Sequence, residues 1–171
     1  MDMASAYRNA VMECCPNAYT VVDHFHVIQK MIMALDTVRI SFQNELMKKD
    51  SAERKAKKLR ADQNTEYSQA KIELFSNKGL MRKNREKLSD DLVEKLYMVL
   101  DKYPKLKYAY EFKEKLRDVY KCTTVNEAKC KYAEWENELG RVKDVKLPEI
   151  KGIQKMINRL HKEVFAYFEE G

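Results

Sequence analysis

Apolar residues recur every three to four positions along most of the chain. This is the spacing of one face of an α-helix. Tyr7, Ala10, Val11 and Cys14 predict a short helix that Pro16-Asn17 breaks. A β-prone run, Ala18-Tyr19-Thr20-Val21-Val22, follows. From Phe25 the pattern predicts a long helix with Ile28, Ile32, Leu35, Phe42 and Leu46 on one face and Met31 and Val38 beside them. The stripe fades after Met47, so residues 48–60 read as a polar helical extension or a mobile arm. Tyr67, Ala70, Leu74 and Phe75 resume an apolar face, and Asn77-Lys78-Gly79 is a stop.

Ser89 is a natural N-cap for a helix over 90–103, with Leu92, Val93, Leu96, Val99, Leu100 and Tyr103 as its stripe. Pro104 suits the first turn of the next helix, which carries Leu106, Ala109, Tyr110, Leu116, Val119 and Tyr120. Thr124-x-x-Glu127 predicts a capping box ahead of a helix with Ala128, Tyr132, Trp135 and Leu139, ended by Gly140. A last helix opens at Pro148 and steps through Ile150, Ile153, Ile157, Leu160, Val164 and Phe168. The pattern therefore predicts a mainly α fold, a helical bundle with one short β-strand near its start. That strand has no sheet partner within the chain. Its apolar face must be covered by the chain's own helices or by a second copy, so a homodimer is expected.

Composition supports helices: 171 residues contain only four Gly and three Pro, too few for the turns of an all-β fold. The formal charge is +6, which permits a nucleic-acid partner without requiring one. Cys14, Cys15, Cys122 and Cys130 form no Cys-x-x-Cys pair, and read as reduced intracellular thiols. With no signal-peptide pattern and no apolar run of membrane-spanning length, a cytoplasmic protein is expected.

Three sets of residues can carry chemistry. Asp23 and His26 lie three apart at a strand-to-helix junction. They could share a face, while Asp23 as a plain helix cap is the simpler use. Cys14 or Cys15 with Asp23 and His26 would make a zinc site only with four ligands brought together, and no metal-ligand spacing demands it. Asp2 on composition is a terminal surface acid. The basic residues Lys48, Lys49, Arg54, Lys55, Lys57, Lys58 and Arg60, with Arg82, Lys83 and Arg85 beyond, could neutralise DNA phosphates or could simply solvate helix faces. A single positive surface would favour DNA; acids interspersed among these bases would favour a helical protein–protein interaction module. Phosphate loops and nucleophile elbows are absent.

The ordered motifs add a resemblance. Asp2-Met3 with Tyr7 and Ala10-Val11, then Pro16-Asn17-Ala18, then Val21-Val22-Asp23-His24-Phe25-His26-Val27 resemble the ISL-three family of insertion-sequence transposases. Pro104-Lys105-Leu106, Ala109-Tyr110, Lys113-Glu114-Lys115-Leu116-Arg117, Glu127-Ala128, Trp135 and Val164-Phe165-Ala166-Tyr167-Phe168 extend the likeness to the end of the chain, with residues 48–72 matching least.

The resemblance implies a DDE recombinase with an RNase H-like core, in which three carboxylates hold divalent metals, Mg2+ by expectation, for phosphodiester attack. It implies residues 1–27 as a remnant of that core and 28–171 as a helical insertion domain, with 48–75 a mobile or extended arm. Asp2 is implied as the second acid of the triad and a metal ligand in the full-length enzyme. Asp23 is the alternative, and His26 a supporting residue. The first acid and the Asn-rich segment with the final Glu are not matched, so the chain is expected to be an inactive fragment that binds no metal alone. Transposon-end DNA is the implied partner of the full-length protein. A self-sufficient metal enzyme built on Asp2, Asp23 and His26 would have an open, weak site.

Overall fold

The computed structural model describes residues 10–11, 13–15, 20–60 and 62–169. The helices are α1 (His24–Lys57), α2 (Glu66–Ser76), α3 (Lys78–Arg82), α4 (Asp90–Leu100), α5 (Pro104–Val119), α6 (Val125–Arg141), α7 (Pro148–Arg159) and α8 (His161–Phe165), with single 3-10 turns at Arg85–Lys87 and Ala166–Phe168. No strand occurs among the described residues. This corrects the expected β-strand at 18–22 as far as Thr20, Val21 and Val22 are concerned. They run without regular structure, and the Val22 N–H donates to the Glu163 carbonyl at 2.9 Å rather than to a neighbouring strand. A β-prone run needs a ladder to become a strand, and a helical turn supplies this one's partner. The Val22 side chain is buried all the same.

The chain divides into two compact units, one of residues 1–34 with 111–171 and one of residues 35–110. In the first, α6 turns one stripe inward: Ala128, Tyr132, Trp135 and Leu139 are buried, at the i, i+4, i+7, i+11 spacing of a helical face. Ile150, Ile153 and Ile157 do the same on α7. Trp135 is the anchor. Its indole N–H donates to the Phe112 carbonyl at 2.9 Å, Phe112 meets it edge-on at 5.7 Å, and Tyr132 stacks on it at 5.6 Å. Such pairs add to area burial, and the one polar atom of the indole is satisfied. The Tyr132 hydroxyl donates to Asn158 Oδ1 at 2.9 Å, and Asn158 and Gln154 both donate to Glu136. Desolvation and the nearby Glu136 carboxylate push the Tyr132 pKa up.

Two boundaries differ from the pattern. Gly140 does not end α6, which runs to Arg141. The predicted last helix breaks at Leu160 into α7 and α8. The break accompanies burial of three consecutive residues, Glu163, Val164 and Phe165, which one stripe of a straight amphipathic helix does not provide. Thr124 caps α6 by accepting from the Glu127 N–H at 3.3 Å, while the Glu127 carboxylate meets Lys131 Nζ at 3.4 Å.

In the second unit Leu35 and Val38 of α1, Leu74 of α2, Met81 of α3, and Leu96, Val99 and Leu100 of α4 are buried. Pro104 opens α5, as expected, and Leu106, Ala109 and Tyr110 are buried on it. Phe42 packs on Tyr103 with ring centroids 5.1 Å apart.

Candidate nucleic-acid interface

The second unit holds the basic residues singled out in the sequence. Of the two expectations for residues 48–60, the chain follows the helical one as far as Lys57. The end of α1 is a Schellman-type turn. Lys58 takes φ 52°, and the Leu59 N–H reaches back to the Arg54 carbonyl at 3.1 Å. Arg54 then acts as a staple rather than a free cation. Its Nε donates to Asp50 at 3.0 Å, Nη1 to the Arg60 carbonyl at 3.1 Å and Nη2 to the Gln63 carbonyl at 2.9 Å. Asp50 also accepts the Thr65 hydroxyl. The Thr65 hydrogen bond, with Arg54 behind it, holds the Asp50 carboxyl below its ordinary range. Thr65 and Ser68 form a reciprocal capping box at the start of α2, so one polar network clamps the connection between α1 and α2.

Acids intersperse the remaining bases. Lys57 pairs with Glu53 at 2.6 Å, which raises the Lys57 pKa, and Arg60 lies 3.9 Å from Asp62. Arg82 pairs with Asp36, whose other oxygen takes the Arg39 Nε at 3.1 Å. Buried Arg39 also donates to Gln43 at 2.6 Å. The Arg85 guanidinium lies over the Tyr97 ring, 5.5 Å from its centroid, and Lys83 is exposed. Lys49 sits 6.0 Å from the centroid of the Tyr67 ring. What is left toward solvent is a smaller set. Lys48, Lys55 and Lys58 are exposed and make no ion pair among the described residues. Lys48 and Lys55 are seven apart and share a helix face, and Lys58 follows at the helix end.

Asp23 and His26 belong to the first unit. The Asp23 carboxylate accepts the Phe25 N–H at 2.9 Å, capping α1, and lies 3.1 Å from His24 Nδ1. The His24 ring packs near Tyr120 and Tyr167. His26 meets Phe25 edge-on instead, so its ring is turned to a hydrophobic neighbour. Asp2 lies outside the described residues. Among the described residues no group of three or more His, Cys, Asp or Glu side chains is placed to hold a metal ion. Cys14, Cys15, Cys122 and Cys130 are all free thiols, and burial raises the pKa of Cys122. No helix, among the described residues, is long and apolar enough to cross a membrane.

Sequence reasoning named Arg54 as a phosphate ligand and missed it as a clamp. The i, i+4 spacing to Asp50 was the available signal. Neither a curated protein nor a solved structure matches the chain. A family model described as Transposase, of the ISL-three type, matches residues 1–171.

Proposed function

Because the chain belongs to the ISL-three transposase family, we propose that it serves DNA transposition by gripping duplex DNA without sequence preference along the end of α1. The observation that carries this reading is the exposed trio Lys48, Lys55 and Lys58, beside bases that acids have already neutralised. Phosphate contacts of this kind release counterions and hold DNA by charge alone. Within the same reading Asp2 is the second catalytic acid, with Asp23 as the alternative and His26 in support. Mg2+, when bound by the full carboxylate set, would supply Lewis-acid activation of the phosphodiester.

The test is a salt titration of binding to generic duplex DNA by fluorescence anisotropy. Replacing Lys48, Lys55 and Lys58 by Gln should lower the slope of log affinity against log salt by about 2–3. Replacing Lys151 and Lys155 of α7 should leave it unchanged. An unchanged slope in the triple variant removes the trio from the interface.

The acids among the bases, Asp36, Asp50, Glu53 and Asp62, favour a second reading, a helical protein–protein module. Absence of DNA binding even at low salt would select it.

A further inference from the structure

The net charge of the chain is not spread evenly. The second unit holds 18 Lys and Arg against 12 Asp and Glu, which accounts for the whole +6. Within it lies a second basic cluster, apart from the exposed trio at the end of α1. Residues 82–87 contain Arg82, Lys83, Arg85 and Lys87 with a single acid, Glu86, and all five are exposed.

The structure fixes where this cluster meets α1. Arg82 Nε donates to Asp36 at 2.7 Å, and Arg39 Nε donates to the other Asp36 oxygen at 3.1 Å. Two guanidiniums share one carboxylate, so the junction keeps a positive charge. Lys58 closes the same helix twenty-two residues after Asp36. At about 1.5 Å per residue the two positions lie about 33 Å apart along the helix axis. Twenty-two residues also make six turns and about 40°, so they lie on nearly the same side. Ile40, Asn44, Met47 and Ser51 stand between them on that side, exposed and uncharged. Acids do not interrupt the strip between its two basic ends.

A duplex presents the phosphates of one strand to the same side again after one helical turn, about 34 Å. The two basic patches of the second unit have that spacing. We propose that they hold one DNA duplex at two points a helical turn apart, with α1 lying along the DNA axis. This rests on the DNA reading of Lys48, Lys55 and Lys58, and it adds a minimum length to the partner. A duplex shorter than one turn engages only one patch at a time.

The test is fluorescence anisotropy of the full chain on hairpin-closed duplexes of about 8 and about 20 base pairs, shorter and longer than one turn. Salt is titrated for each. The variant carries Lys83→Gln and Lys87→Gln, which leaves Arg82 on Asp36 and Arg85 on Tyr97, and unchanged circular dichroism reports its fold. On the long duplex it should lower the slope of log affinity against log salt by about 1–2. Combined with the Gln variant of the trio, the two losses should add. On the short duplex, which the trio holds alone, Lys83→Gln with Lys87→Gln should leave the slope unchanged. A long-duplex slope that responds to the trio but not to Lys83 and Lys87 overturns the proposal and leaves the DNA reading standing. An equal loss on both duplexes also overturns it, because the patches would then not span a turn. A chain that binds neither duplex at low salt removes the DNA reading and this proposal with it.

Discussion

The surroundings of Trp135 and the end of α1 are both ordered, and they are ordered by different physics. Around Trp135 the contacts are aromatic and dry: Phe112 edge-on, Tyr132 stacked, and one indole hydrogen bond to a backbone carbonyl. At the end of α1 the contacts are polar: Arg54 holds Asp50 and two carbonyls of the following turn, and Asp50 holds Thr65. The first kind of order follows buried area and is insensitive to salt. The second depends on charge state and geometry, and its exposed parts weaken as salt screens them.

The contrast can be broken at either end. The largest effect is expected from Trp135→Ala, which should cost about 3–5 kcal/mol through lost burial and a residual cavity, measured by urea unfolding. A loss under about 1 kcal/mol would mean that Trp135 is not the anchor described.

Arg54→Met keeps the stem and removes three hydrogen bonds. It should destabilise the connection from Leu59 to Thr65 locally, by about 1–3 kcal/mol, with amide exchange accelerating there and unchanged in α6. Equal acceleration in α6 would show that the network supports more than its own turn.

Lys58 sits in the left-handed region, where a Cβ is unfavourable, so Lys58→Gly should stabilise the helix end by about 0.5–1 kcal/mol. Thermal unfolding reads this, and a fall in stability would deny the turn geometry.

The smallest effect concerns pH. The Asp50 pKa is lowered in the folded chain, so its stabilising contribution is present above the ordinary carboxylate range and is lost as pH falls through the lowered value. Protection of the Thr65 and Ser68 amides relative to their intrinsic exchange rates should fall on acidification below that range, and Asp50→Asn should abolish that fall. Retention of the dependence in Asp50→Asn would assign it to another carboxylate.

The longer helices were legible because each buries a stripe at its own period. Trp135, Tyr132 and Leu139 on α6 and Ile150, Ile153 and Ile157 on α7 could be placed inward from spacing alone. The long first helix was legible too, but its seam was not quite the expected one. Val27, Met31, Leu35 and Val38 are buried, while Ile28 and Ile32 lie at the edge. Adjacent apolar residues compete for one face, and only the neighbouring elements decide which wins. Phe75 shows the same limit in reverse. Its spacing allowed an inward face shared with Leu74, and it is more than half exposed. The strand expectation for 18–22 failed over its described part for a related reason: β-propensity is a preference for a paired surface, and here the pairing group is the Glu163 carbonyl.

What the order of residues determined by itself is the periodicity of the helices, the positive balance of 48–60, and the family to which the chain belongs. These are local or cumulative properties that need no partner in space. What the tertiary structure alone decided is the use of each charge. Arg54 and Lys55 are neighbours of the same sign in sequence, yet one is tied to Asp50, Arg60 and Gln63 and the other is exposed. Thr65 lies fifteen residues from Asp50 in the chain, and the turn after α1 brings them together. Electrostatic energy falls with distance in space rather than in sequence, so the folded chain sets which bases are spent within the protein and which remain for a partner.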